Sequence, residues 1–268
     1  MVLNLIGLGI GNEKDITMNG FDAIQTSDEI YLEHYTSIIK DANIETLKNF
    51  YKKDIKLASR DLVEKEIENI IQEAKTKNIS FLIVGDVFSA TTHMDLMLRA
   101  KELGTKVNIF NNASILNAIG NIGLELYKFG KTTSMVFFEE NWKPKNVYDI
   151  LKQNKSIQAH TLILLDIKIA EPSLEDLKKG LTKASKPRFM TVNQALQQLI
   201  ELEETYKENL ISKETLAIGV ARLNSKSEFI KTGTIKELLS TDFGDPIHCL
   251  IIPDKMHFIE EDAINRFK

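Results

Sequence analysis

With 268 residues, 43% of them hydrophobic and 27% charged, the chain carries enough apolar material for one large or two modest globular cores. A formal net charge of −4 argues against a nucleic-acid-binding face, which needs a basic excess. The single cysteine, Cys249, excludes an intrachain disulfide and a thiolate metal cluster, and its neighbours Leu250, Ile251 and Ile252 mark it as a core residue.

The first apolar run, residues 2–8, closes in alternating glycines, Gly7, Gly9 and Gly11. A strand that ends in glycine lets backbone approach a ligand closely, because no Cβ intervenes. Further strands are expected at residues 29–33, 55–58, 81–84 and 106–109, with helices between them. Asp61 with Glu64 forms a capping pair for a helix that buries Val63, Ile67, Ile70, Ile71 and Ala74. Thr92 with Asp95 opens a helix that Gly104 ends, and Ser114 caps another with the stripe Ile115, Ile119, Ile122 and Leu126. This alternation predicts βαβ units and a mostly parallel sheet. Two more strand ends carry loops of ligand-binding character, residues 85–93 and Asn112-Ala113-Ser114-Ile115. Together with the glycine run they predict one crevice at the carboxyl edge of the sheet.

A break at Phe129-Gly130-Lys131 precedes a second half in which the pattern resumes, with strands expected at residues 134–138, 160–165, 215–220, 228–231 and 247–252. Thr191 with Gln194 reads as a capping box for a long helix carrying Leu196, Leu199 and Leu202. Residues 171–188, lysine-rich and flanked by Pro172 and Pro187, read as an excursion. The expectation is two α/β domains, residues 1–130 and 131–268. No apolar stretch reaches the roughly 18 residues that span a bilayer, and Met1-Val2-Leu3-Asn4 has no basic leader, so a cytoplasmic protein is expected.

The candidate site residues leave alternatives open. Gly7-x-Gly9-x-Gly11 departs from a dinucleotide fingerprint: Asn12 stands where the third glycine belongs, and no helix can start before Thr17. Glu33 nonetheless mimics a ribose-binding acid, so a nicotinamide site and a plain strand-end turn both stand. Asp86 can bind a ribose hydroxyl or ammonium group, or simply cap its own turn. His93 can orient a substrate or bond solvent. Asp242-Phe243-Gly244-Asp245-Pro246 leads to His248 as either a turn or a binding element. His34, His160 and His257 lack partners at metal-ligand spacing, so no metal is expected. No nucleophile elbow, P-loop or Cys/His pair is present.

Several motifs, taken in chain order, resemble the diphthine synthase branch of the tetrapyrrole methylase superfamily over essentially the whole chain. They are Ile6-Gly7-Leu8-Gly9 with Asp15-Ile16-Thr17, Glu33-His34-Tyr35-Thr36-Ser37, and Gly85-Asp86 with Ala90-Thr91-Thr92-His93. The series continues with Ser114-Ile115 and Ala118-Ile119-Gly120, Tyr127-Lys128-Phe129-Gly130-Lys131, Leu165-Asp166-Ile167-Lys168, and Asp242-Phe243-Gly244-Asp245-Pro246 with His248. The resemblance implies two α/β domains with S-adenosylmethionine in the cleft between them, in a homodimer. It implies methyl transfer to the amino group of a 3-amino-3-carboxypropyl chain on a histidine of translation elongation factor 2, in diphthamide biosynthesis. Cofactor contacts would fall on Ile10, Asp86, Ser89, Ser114, Ile115, Leu165, Leu223 and His248. The superfamily's Gly-Asp-Pro stands here as Gly85-Asp86-Val87. Residues 171–188 with Met190-Thr191-Val192-Asn193-Gln194 resemble the longer eukaryotic members, which make four transfers to a diphthine methyl ester, whereas archaeal members stop at three. Lys168 or Arg222 would meet the substrate carboxylate. The competing readings are a methylase of a small tetrapyrrole, a nicotinamide-dependent oxidoreductase, and a non-catalytic sensor of S-adenosylmethionine.

Overall fold

The computed structural model describes residues 1–33, 38–60, 62–91, 93–168 and 187–268. The expectations placed on Asp61, Thr92, the run His34-Tyr35-Thr36-Ser37 and most of residues 171–188 lie outside them. The chain divides into two compact units, Met1–Ala118 with Asn224–Lys226 and Ile119–Leu223 with Ser227–Lys268.

In the first unit the apolar runs form β1 (Val2–Gly7), β2 (Glu29–Glu33), β3 (Lys56–Ala58), β4 (Asn78–Ile83) and β5 (Val107–Phe110). They make a wholly parallel sheet in the order β3-β2-β4-β1-β5. The central strands are apolar almost throughout because helices cover both faces. On one face Leu3, Leu5, Ile79 and Phe81 pack with Ile67 and Ile71 of α3 (Ile67–Glu73) and with Leu96 and Ala100 of the helix His93–Glu102. On the other, Ile6, Ile30 and Leu82 pack with Ile24 of α1 (Met18–Gln25) and with Leu47 and Tyr51 of α2 (Ile44–Tyr51). Thr17 caps α1 by accepting the Gly20 N–H, so no helix starts at the glycines. The helix His93–Glu102, α4, stops before Gly104, whose φ of +71° suits the left-handed residue that ends helices.

β4 starts earlier than its apolar run suggested. The polar residues in its first half are provided for: Ser80, fully buried, bonds Ser27 at 2.7 Å, and the Asn78 N–H donates to Asp28 Oδ2 at 2.8 Å. The stripe from Ile115 to Leu126 is not one helix. It forms a single turn, α5 (Ile115–Ala118), then a 3-10 turn over Ile119–Ile122 that buries Ile119 and Ile122. Gly123 then turns the backbone into the left-handed region at φ +100°.

The second unit holds β6 (Thr133–Met135), β7 (Thr161–Leu165), β10 (Leu216–Ala221), β11 (Phe229–Thr234) and β12 (His248–Ile252) in the order β11-β10-β12-β7-β6. The short strands β8 (Ile167–Lys168) and β9 (Arg188–Phe189) pair separately. Only β6 and β7 run parallel, so the pattern of the first half does not simply resume. The link from β10 to β11 is too short for a helical crossover, which leaves a hairpin as the available connection. Helices α6 (Asn146–Ser156) and α7 (Val192–Tyr206) bury Tyr148, Leu151, Leu196 and Leu199 in one core with Leu165 and Leu250. Thr191 and Gln194 cap α7 reciprocally, as expected. Cys249 is buried in β12, and burial pushes its thiol up to about 12. Two further helices follow, α8 (Ile235–Leu239) and α9 (Phe258–Asn265).

Gly219 in β10 shows how tightly this core is filled. A Cβ there would stand 2.2 Å from Phe243 Cζ and 3.0 Å from Val192 Cγ1. Gly219→Ala is therefore expected to lower stability by about 1–3 kcal/mol through overpacking. The measurement is the urea midpoint at unchanged slope; an unmoved midpoint would show that the Phe243 ring yields without cost.

Candidate functional site

The three strand ends of the first unit converge. Gly9 and Gly85 exchange both backbone bonds, Gly9 N–H to Gly85 O at 3.0 Å and Gly85 N–H to Gly9 O at 2.9 Å. Both sit at left-handed φ, +74° and +82°, which glycine adopts without steric cost. A Cβ on Gly7 would lie 2.7 Å from the Gly85 carbonyl oxygen, so only a bare backbone fits. A Cβ on Gly85 would meet Ser114 Cβ at 3.8 Å and Ala113 O and Ile10 Cγ2 at 3.9 Å. Ile10 and Ser114 thus both border the side-chain-free space over Gly85, a small backbone-floored cradle.

Side chains from neighbouring elements hold this shape. The Asn112 amide donates to Gly7 O at 2.9 Å and to Asp15 O at 3.0 Å, while Asp15 Oδ2 accepts the Gly11 N–H at 2.7 Å. Asn112 and Asp15 fall within segments that the sequence singles out, but neither is among the assigned cofactor contacts, and the bonds they make to the glycine run are not foreseen there. The signal for Asn112 is its place beside Asn111 directly after an apolar strand, where amide side chains can serve stranded backbone groups.

Asp86 is 7% exposed and fully engaged. Its Oδ1 accepts the Phe88 N–H at 3.0 Å and the Ser89 hydroxyl at 2.9 Å. Its Oδ2 accepts the Asn111 amide at 2.9 Å and the Asn112 N–H at 3.0 Å. Burial works to raise this carboxyl, but the four donors outweigh it and hold the group below the usual carboxylate range. The turn-capping reading of Asp86 is therefore present, and the same bonds tie the loop after β4 to the end of β5. Ser114 caps α5, its hydroxyl accepting the Leu116 N–H at 3.2 Å, and Ile115 beside it is half-buried. His93 does not reach solvent: it is 4% exposed and bonded to Glu33, itself 1% exposed. Glu33 is accordingly no ribose-binding acid, and with no helix N-terminus at the glycines the dinucleotide geometry is missing.

The second unit carries Leu165 at the end of β7, Leu223 just past β10 and His248 at the start of β12, all buried. His248 Nδ1 accepts the Val192 N–H at 3.4 Å, and its Nε2–H donates to Asp245 O at 2.9 Å. Both ring nitrogens are engaged, and burial, aided by the nearby Arg222 charge, depresses the imidazole below its ordinary value. Arg222, at φ +51°, donates to Phe243 O at 2.8 Å, to Ser227 O at 2.9 Å and to Asp245 O, fastening the Asp242–Pro246 turn. Lys168 pairs with Glu139 at 2.9 Å. Each cation assigned to the substrate carboxylate thus already has partners in its own unit.

The sequence profile of the family described as Tetrapyrrole (Corrin/Porphyrin) Methylases matches residues 2–239. The chain belongs to the tetrapyrrole methylase family. A diphthine methyl ester synthase of Dictyostelium discoideum is 50% identical over 269 residues, spanning 100% of this chain and 98% of that protein. The diphthine methyl ester synthase of Saccharomyces cerevisiae is 46% identical over 267 residues, spanning 99% of this chain and 89% of its own length. A crystal structure of diphthine synthase shares a TM-score of 0.84 at 31% identity, covering 100% of this methylase and 96% of that chain. The methylase therefore sits in the diphthine synthase branch, as its motifs implied, and it is a methyltransferase of α/β fold. Among the described residues no helix is long and apolar enough to cross a membrane.

Proposed function

We propose that this methylase transfers methyl groups from S-adenosylmethionine to the 3-amino-3-carboxypropyl-histidine of translation elongation factor 2, four in all, giving diphthine methyl ester. The observation that carries the reading is the full-length likeness to diphthine methyl ester synthases, 50% identical in the Dictyostelium discoideum protein. We place the protein in the cytoplasm, where its acceptor works, as a homodimer.

The cofactor contacts are assigned to Ile10, Asp86, Ser89, Ser114 and Ile115 in the first unit and to Leu165, Leu223 and His248 in the second. The cradle over Gly85 suits this role, since a side chain there would fill it. S-adenosylmethionine supplies, when bound, a methyl group already activated on a sulfonium. What remains for the protein is to hold an unprotonated acceptor amine in line with that methyl, and pre-set geometry accounts for most of such a rate gain. Asp86 serves by shaping the loop from Gly85 to Ala90, since protein donors occupy its oxygens. His248, with both nitrogens engaged, offers backbone and ring surface rather than a free hydrogen-bonding atom.

The test is incubation with labelled S-adenosylmethionine and elongation factor 2 bearing the aminocarboxypropyl-histidine, followed by mass measurement of the acceptor. Four methyl increments are expected. Three would make the product diphthine, and none in a protein that binds the cofactor would remove this acceptor from the reading.

A further inference from the structure

Glu33 ends β2 and His93 begins α4; 60 residues apart in sequence, they meet in the interior of the first unit, 1% and 4% exposed. A Glu33 carboxylate oxygen is bonded to His93 Nε2. The other ring nitrogen, Nδ1, lies 3.2 Å from the carbonyl oxygen of Val87. A carbonyl can only accept, so Nδ1 carries a proton and donates it. The imidazole is thus a strut from the end of β2 to the loop that follows β4.

That loop contains the groups assigned to the cofactor. Val87 follows Asp86, whose carboxylate gathers Phe88, Ser89, Asn111 and Asn112. The Val87 carbonyl also accepts the Thr91 hydroxyl at 2.9 Å, so two side chains converge on one backbone oxygen. Between Val87 and Thr91, Ala90 is held at φ +58°, a left-handed conformation that a residue with a Cβ keeps only where its surroundings impose it. The environment of the strut is apolar: Val87 is fully buried, and the Phe81 ring lies 6.3 Å from the imidazole. A buried charged or proton-sharing pair in such a place adds little to folding, because desolvation offsets the attraction and two leucines would fill the space as well. What it does provide is a fixed length and direction.

We propose that His93 and Glu33 are positioning residues for the methyl donor. They set the Val87 carbonyl, and through it the Asp86 carboxylate and Ser89, in the geometry that receives S-adenosylmethionine. The inference rests on the reading that this loop binds that cofactor.

The experiment is calorimetric binding of S-adenosylhomocysteine to full-length wild type, His93→Leu, Glu33→Leu and Glu33→Gln, at a temperature where circular dichroism shows each folded. The two leucine variants are expected to bind at least about 10-fold more weakly, with KM for S-adenosylmethionine rising in parallel and kcat changing less than about 3-fold. Glu33→Gln is expected to stay within about 3-fold of wild type, because its amide can donate to Nε2 of an imidazole protonated on Nδ1. A merely structural pair would lower the melting temperature and leave affinity alone. Leucine variants binding within about 2-fold of wild type, whatever their melting points, overturn the proposal. Should neither leucine variant fold, Thr91→Val removes the other donor to the Val87 carbonyl; at least about 3-fold weaker binding supports the strut, and wild-type affinity overturns it. A wild-type protein that binds neither S-adenosylhomocysteine nor S-adenosylmethionine overturns the cofactor reading as well, whereas normal wild-type binding with unaffected variants overturns only the strut.

Discussion

Glu260→Ala is expected to remove about 3–5 kcal/mol of stability, the range for breaking one side of a buried ionic cluster. Glu260 is 1% exposed and accepts from four groups of its unit. The Glu125 N–H and His160 Nε2 lie 2.9 and 3.0 Å from Oε1, and the His257 N–H lies 2.7 Å from Oε2, where the Lys128 ammonium also binds. His160, fully buried, accepts the Asp254 N–H on Nδ1 at 3.0 Å, so its proton sits on Nε2 and points at the carboxylate. Alanine would strand the Glu125 and His257 amides and His160, and leave the Lys128 ammonium its 3.9 Å pairing with Glu125. Burial works to raise the Glu260 carboxyl, but the His257 and Glu125 amides, Lys128 and His160 outweigh it and bring it down to about 2. A group whose pKa falls on folding contributes stability that is complete above its unfolded value and lost as pH drops through its folded one. Here that window runs from 4.5 down to about 2. The contribution at neutral pH is about 3 kcal/mol by linkage, in line with the mutational figure. Urea unfolding at pH 7 and pH 3 checks both: the difference between wild type and Glu260→Ala should be large at pH 7 and shrink at pH 3. A difference independent of pH would show that the carboxylate's charge is not what stabilises the cluster.

The histidines of this cluster show where sequence reading stops. His160 and His257 carry no spacing that names a partner, and Glu260 lies 100 residues beyond His160. The contact exists because β7 and α9 fold into one unit, and neither local propensity nor apolar period encodes it. Glu33 and His93 each draw notice in the sequence, one as a candidate ribose-binding acid and the other as a candidate substrate-orienting group, but their contact across 60 residues is hidden in the same way. Elements driven by period or by a cap were legible: the parallel strands of the first unit, apart from the early start of β4, the Thr191–Gln194 box and the stop at Gly104 stand within a residue or so of where the sequence places them. The glycines at the ends of β1 and β4 were legible for the same reason, since a left-handed or side-chain-free position leaves a mark in the sequence. The single helix expected from Ser114 through Leu126 does not form, because its apolar stripe satisfies a helical period that Gly120 and Gly123 do not sustain. The antiparallel pairs of the second unit were not legible either. A strand buried on both faces reads alike in either direction, so only the short link from β10 to β11 distinguished them. Asp86 lies between these cases: its place after a strand and a glycine marks it, but its partners come from its own loop and from Asn111 and Asn112 just past β5.

Asp86→Ala is expected to weaken S-adenosylhomocysteine binding by roughly 30- to 1000-fold, from the loss of about 2–4 kcal/mol of charge-assisted bonding that now shapes the loop. The substitution releases the Phe88 and Asn112 amides, the Ser89 hydroxyl and the Asn111 side chain together, so the loop after β4 loses its tie to β5. The fold should survive, because the apolar layers on both faces of the sheet do not depend on these bonds. Asp86→Asn separates charge from shape. Its oxygen can still serve Phe88 and Ser89, but its amide N–H₂ would face the donors of Asn111 and Asn112, so an intermediate loss is expected. The carboxyl lies below the usual range, so wild-type affinity should not change through Asp86 titration between about pH 5 and 8. Calorimetry on the three proteins across that range decides the matter. Equal affinity in wild type and Asp86→Ala would mean that the cofactor is held elsewhere and that the convergence of the strand ends over Gly85 is architecture alone. A loss in Asp86→Ala with full retention in Asp86→Asn would assign the effect to loop shape and take the negative charge out of it.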